Sequence, residues 1–97
     1  MKIVKIIKSP RKNKRLRVYL DDNRYFDFGL DTGETFIDHN NEKKRDAYRK
    51  RHIANDIERY LIETLTPSPA LYAYYILWGD SSDLMTNIET LNAMLNE

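Results

Sequence analysis

KRLRVYLDDNRYFDFG, residues 14–29, decides the fold. Leu16, Val18 and Leu20 alternate with Arg15, Arg17 and Tyr19, the two-residue period of a strand covered on one face. Asp21, Asp22 and Asn23 supply tight-turn chemistry, because short polar side chains tolerate left-handed backbone. Beyond them Phe26 and Phe28 alternate with Tyr25 and Asp27, so the chain returns as a partner strand with both phenylalanines toward a core. The stretch predicts a β-hairpin with a basic outer face.

Outward toward the N-terminus, KIVKIIK (residues 2–8) is short and β-branched, which predicts another strand, and Pro10 ends it. Residues 1–12 are read either as a strand of the same domain or as an arm that pairs with another chain. Toward the C-terminus, ETFID (residues 34–38) reads as a short strand or extended segment. From Asn40 the pattern becomes helical: NNEKKRDAYRKRH has an Asn N-cap and Glu42 in its first turn. Ile57, Leu61 and Leu65, joined by Tyr60, form an apolar stripe on a second helix. Pro69 suits the first position of a third helix after Ser68, and ALYAYYILW is apolar all round but too short for a bilayer, so it reads as a buried central helix stopped by Gly79. Ser81 or Ser82 is expected to cap a last helix bearing Leu84, Ile88, Leu91 and Leu95. The predicted class is α+β: a small N-terminal antiparallel sheet, the hairpin plus one or two strands, packed by three to four C-terminal helices. One domain, residues 1–97, is expected, β-rich and basic over 1–38 and helical over 40–97.

Charge divides the same way. Residues 1–52 hold fifteen Lys and Arg against eight acids, a balance of +7, whereas residues 53–97 hold one Arg against seven acids, a balance of −6. Such a polar chain presents a basic side to something negative, phosphate or an acidic protein surface. Cys is absent, which removes disulfides, thiolate metal sites and a Cys nucleophile. The interrupted N-terminal run MKIVKIIKSP does not read as a signal peptide or a membrane span.

Metal chemistry would fall to His39, His52 and Asp38, a thin donor set for a tetrahedral site, and no metal or cofactor is expected. No Ser motif, phosphate loop or paired-carboxylate spacing appears, so no catalytic residue is assigned and no enzyme is expected. The basic helix is the strongest local feature. Arg45, Tyr48, Arg49 and His52 share one of its faces. Arg45, Tyr48, Arg51 and His52 are read as a structural lock onto the hairpin, leaving Lys43, Lys44 and Lys50, with Arg11, Lys12, Lys14, Arg15 and Arg17, as a basic partner-binding face. Nucleic acid is the other anion such a face would take, sequence-blind and salt-dependent. In the aromatic run, Tyr72, Tyr75 and Trp78 are candidates for a partner interface, since four large aromatics exceed what so small a core hides.

Taken in order, KRLRVYL, FDFG, Asp38-His39, the spaced set Arg45, Tyr48, Arg51 and His52, and an apolar helix ending in ILWG followed by LMTNIETL form a pattern. Over roughly residues 12–95 it resembles a family of small, mostly uncharacterised proteins of the nucleocytoplasmic large DNA viruses, with chlorella-virus and mimivirus members. Asn41 stands where the family commonly has an acid, and PSPALY replaces a Gly-aromatic start of the apolar helix. The resemblance implies no catalysis. It implies a small structural or adaptor protein of the virus particle, similar to minor capsid components. Its partners would be the major capsid protein or other minor capsid proteins, and its place the inner capsid surface, after assembly in the host cytoplasm. The alternative is a virion- or factory-associated nucleic-acid-binding protein. In either case Tyr48→Ala and Arg45→Ala are expected to lower thermal stability, and Lys43→Glu to spare it while weakening assembly.

Overall fold

The computed structural model describes residues 2–96; Met1 and Glu97, the outer limits of the domain read from sequence, lie outside the described residues. Three strands, β1 (Ile3–Lys8), β2 (Lys14–Leu20) and β3 (Tyr25–Leu30), form an antiparallel meander in the order β1-β2-β3. Asn23 takes the left-handed conformation in the β2–β3 turn (φ 72°), and the register sets Leu16 opposite Phe28 and Val18 opposite Phe26. Residues 3–8 are thus a strand of this sheet rather than an arm.

Helices follow: α1 (Phe36–His39), α2 (Glu42–Ala54), α3 (Asp56–Glu63), α4 (Pro69–Tyr72), which runs on as a π-helical turn (Ala73–Leu77), and α5 (Leu84–Leu95). The fold is α+β. ETFID is not extended: Thr35 caps α1, its N–H donating to Asp38 Oδ2 at 2.7 Å, so the helical part begins inside the stretch read as β-rich. Asn41 and Asn55 cap α2 and α3 by accepting from Lys44 N and Glu58 N. Asp83, not Ser81 or Ser82, caps α5, with Ser81 accepting from the Asp83 N–H at 2.9 Å.

The core sits between one sheet face and the central helix. Val18, Leu20 and Phe28 meet Leu71, Tyr72, Ile76 and Leu77, and α5 adds Ile88 and Leu91. The wide π turn, closed by Trp78 N–H on Ala73 O at 3.1 Å, lets Ala73, Ile76 and Leu77 all be buried. The α3 stripe meets expectation only in part: Leu65 packs against the core and Leu61 is half-buried, but Ile62 takes the buried position at 2 % exposure while Ile57 is 74 % and Tyr60 58 % exposed. Rotation of α3 is fixed by its one-residue link to α2 and by Leu65, which leaves the helix in left-handed backbone (φ 53°). On the far side, the Asn92 amide donates to Ile3 O at 3.0 Å and accepts from Ile3 N–H at 2.9 Å, taking the place of a further strand at that point of the open β1 edge. Among the described residues no helix is long and apolar enough to cross a membrane.

Candidate functional site

The expected basic face is divided. Arg15 holds Asp38 with both guanidinium nitrogens, at 2.6 and 2.7 Å. Arg17 lies directly across the sheet from Asp27 and binds it at 2.9 and 3.1 Å, beneath a Ser9 hydroxyl that donates to the same carboxylate at 2.6 Å. Hydrogen bonding to Arg15 holds the Asp38 carboxyl well below the usual range, and Arg17 lowers Asp27 likewise. These two arginines are therefore structural, correcting their assignment to a partner surface. Arg11, Lys12 and Lys14 cluster about the β1–β2 turn and form no ion pair among the described residues.

The second basic group lies on α2, which buries no residue of its own. Its inner face is the lock, but onto the segment after the central helix rather than onto the hairpin. Tyr48 stacks on Trp78 with ring centroids 4.1 Å apart and planes 11° from parallel. Arg49 donates through Nε to Trp78 O at 2.7 Å and through Nη2 to Asp80 at 3.1 Å. Arg45 lies over the Phe36 ring at 4.7 Å and reaches Asp80 O. His52 packs on Tyr48 at 4.1 Å and sets Nδ1 2.5 Å from Glu58 Oε2, an ion pair with α3 when the imidazole is protonated. Arg51 does not join them: it is exposed, 6.0 Å from the Tyr48 ring.

Two of the three aromatic partner candidates are interior. Tyr72, the last residue of α4, is fully buried against Phe26 and Phe28, with ring centroids 5.7 and 5.9 Å away. Trp78 is 8 % exposed, held between Tyr48 and His39. Tyr75 alone is half-exposed, edge-on to Tyr74. Burial pushes the Tyr48 and Tyr72 hydroxyls up to about 12. Both groups are neutral in the native chain where an unfolded tyrosine, near 10, has already ionised. Their contribution is therefore complete below about pH 10 and is lost as pH rises through 12. Spectrophotometric titration should show a tyrosine fraction ionising only near pH 12, abolished by Tyr48→Phe with Tyr72→Phe. Ionisation of every tyrosine by about pH 11 would contradict these environments.

The outer face of α2 walls a groove of about 640 Å³. Ala47 and Ala54 lie along it, seven residues apart, with Lys44 and Arg51 on one side and Lys50 on the other. Trp78 and His39 form its floor and Glu34 its opposite lip. A smaller hollow beside it shares Glu34, Arg51 and Trp78 and reaches Gly29 of β3. His39 accepts from Asn41 N–H at Nδ1, 2.9 Å, which puts the proton of the neutral ring on Nε2. With Asp38 committed to Arg15 and His52 to Glu58, the three metal candidates are apart in role. No group of three or more His, Asp and Glu placed to hold a metal occurs among the described residues.

The groove was only partly readable. Lys44 and Lys50 were assigned to a partner, but Ala47, Ala54 and Glu34 were not. Their signal was the spacing Lys44, Ala47, Arg51, Ala54, in steps of three, four and three, which is one helical face.

No curated protein and no solved structure matches the chain. A family profile matches residues 4–52, just over half of it, a span that holds the sheet apart from Ile3, α1, most of α2 and all of the groove except Ala54 and Trp78. With nearly the whole sheet and the cationic wall inside that match, the chain belongs to DUF5754, a family of unknown function.

Proposed function

We propose that the chain is a non-enzymatic adaptor whose groove on α2 receives an acid-flanked apolar segment of another structural protein. The carrying observation is the groove itself: small apolar residues between two rows of cations, beside an indole stacked on Tyr48, with Arg49 bonded to the backbone carbonyl of the same residue. Cationic rims set orientation and encounter rate, while the apolar strip supplies desolvation. In keeping with the resemblance, we place this docking in the particle of a large DNA virus, as a minor capsid protein meeting the major capsid protein or other minor capsid proteins on the inner shell. Purified virions analysed by mass spectrometry test the location, and absence of the chain from them rejects it.

Trp78 is the only tryptophan, so its fluorescence reports on the groove directly. An amphipathic peptide with acids on both flanks of its apolar stripe should shift that emission. Lys44→Glu with Lys50→Glu should weaken the binding at least ~tenfold. The exposed Arg11 and Lys12, with the half-buried Lys14 beside them, favour nucleic acid as the second reading. Duplex binding that falls steeply with salt and disappears in Arg11→Ala with Lys12→Ala, beside no response to the peptide, would put that reading first.

A further inference from the structure

We infer that the groove is filled by α3 of a second copy of the chain. The inference rests on reading the groove as a docking site and names one occupant for it. Ile57 and Tyr60 stand three-quarters and more than half exposed at positions i and i+3, with Leu61 beside them around a shallow apolar hollow. On the wheel of α3, Asp56 and Glu63 flank this patch on one side and Glu58 on the other, an order of acid, apolar, acid, with Asp56 also held by Arg59 at 3.0 Å and Glu58 set against His52. The outer face of α2 has the order base, apolar, base: Lys44 and Arg51, then Ala47 and Ala54, then Lys43 and Lys50. Each apolar strip thus meets the other while the acidic flanks face basic ones, Glu63 being the acid with no ion pair in its own chain among the described residues. The alanines let helix axes approach closely where a larger side chain would hold them apart.

The two surfaces do not satisfy each other within one chain, since Ile57 and Tyr60 stay exposed although α3 follows α2 after Asn55 alone. Pairing of α3 with α3 would set acid against acid, and α2 with α2 base against base. The opposed surfaces favour the mixed contact, and because they are sequence neighbours a two-fold pair of chains can make it twice. An acidic partner protein then competes with this pair for the same groove.

Sedimentation equilibrium tests it on the full chain. The wild type should pair in the micromolar range, more weakly at high salt. Ile57→Lys with Tyr60→Lys should leave monomers, as should Lys44→Glu with Lys50→Glu, each with an unchanged circular dichroism spectrum because every altered residue is exposed. Mixing the two variants should recover a mixed pair, since one intact groove then faces one intact patch. A monomeric wild type at millimolar concentration, or a groove variant that still pairs, overturns the inference. Should the wild type stay monomeric while the acidic peptide still shifts Trp78 emission, only the choice of occupant fails. Loss of both pairing and peptide response removes the docking site as well.

Discussion

Gly79→Ala is expected to cost about 3 kcal/mol, at the upper end of overpacking penalties, and to lower Tm by roughly 10–20 °C. A Cβ on Gly79 would overlap the Tyr75 carbonyl oxygen and sit 2.6 Å from Asn87 Cγ. Neither neighbour can yield. The carbonyl belongs to the π turn, and Asn87, 3 % exposed, is held three ways: it donates to Ile76 O at 2.9 Å and Ser81 O at 2.7 Å, and accepts from Ser81 N–H at 3.0 Å. Relief would require giving up buried hydrogen bonds, each lost partner adding about 1–3 kcal/mol. Gly33, whose added Cβ would meet only Leu30 Cβ at 3.8 Å, provides the comparison. Gly33→Ala should be near neutral in a thermal melt, and equal losses at both positions would show that the close approach at Gly79 carries no cost.

Trp78→Ala should cost about 3–5 kcal/mol, as large aromatic truncations in packed sites do. The indole joins three pieces of chain: the stacked Tyr48 of α2, His39 of α1, and the end of the central helix. Its removal leaves Arg49 bound to the backbone carbonyl of residue 78 but takes away the surface on which α2 rests. Because no residue of α2 is fully buried, detachment of α2 should precede loss of the sheet. Hydrogen exchange should show amides of residues 42–54 losing protection while those of residues 14–30 keep it. Trp78→Phe, which retains a ring for Tyr48, should lose less than half as much. A Tm drop under about 5 °C for Trp78→Ala would mean that α2 is held by the arginines alone.

The hairpin was legible because strict alternation and Asp-Asp-Asn turn chemistry are both local signals. The central helix was legible as buried because it has no polar face. The interior roles of Arg15 and Arg17 were not read, for two different reasons. Arg17 faces Asp27 across the hairpin, a pairing that follows once the register is fixed. Arg15 reaches Asp38 after a chain reversal that no local pattern encodes. The α1 turn was hidden by Thr35, Phe36 and Ile37, which favour strands, although Thr35 and Asp38 have the spacing of a capping pair. Ile57, Leu61 and Leu65 misled because a step of four defines a line on a helix without saying which side faces the core. Ile62 took the buried place and Leu65 packs against the core, while Ile57 and Tyr60 were left outside.

The π turn has a consequence for relatives of different length. It contains one residue more than α-helical winding needs between Tyr72 and Trp78. A homologue shortened by a single residue within 73–77 would revert to regular winding and keep its sheet, yet its tryptophan would swing by roughly 100° around the axis. Such a gap would mark a member of the family whose α2 is anchored differently and whose groove beside α2 is no longer lined by the indole, even where every lysine of the rim is retained.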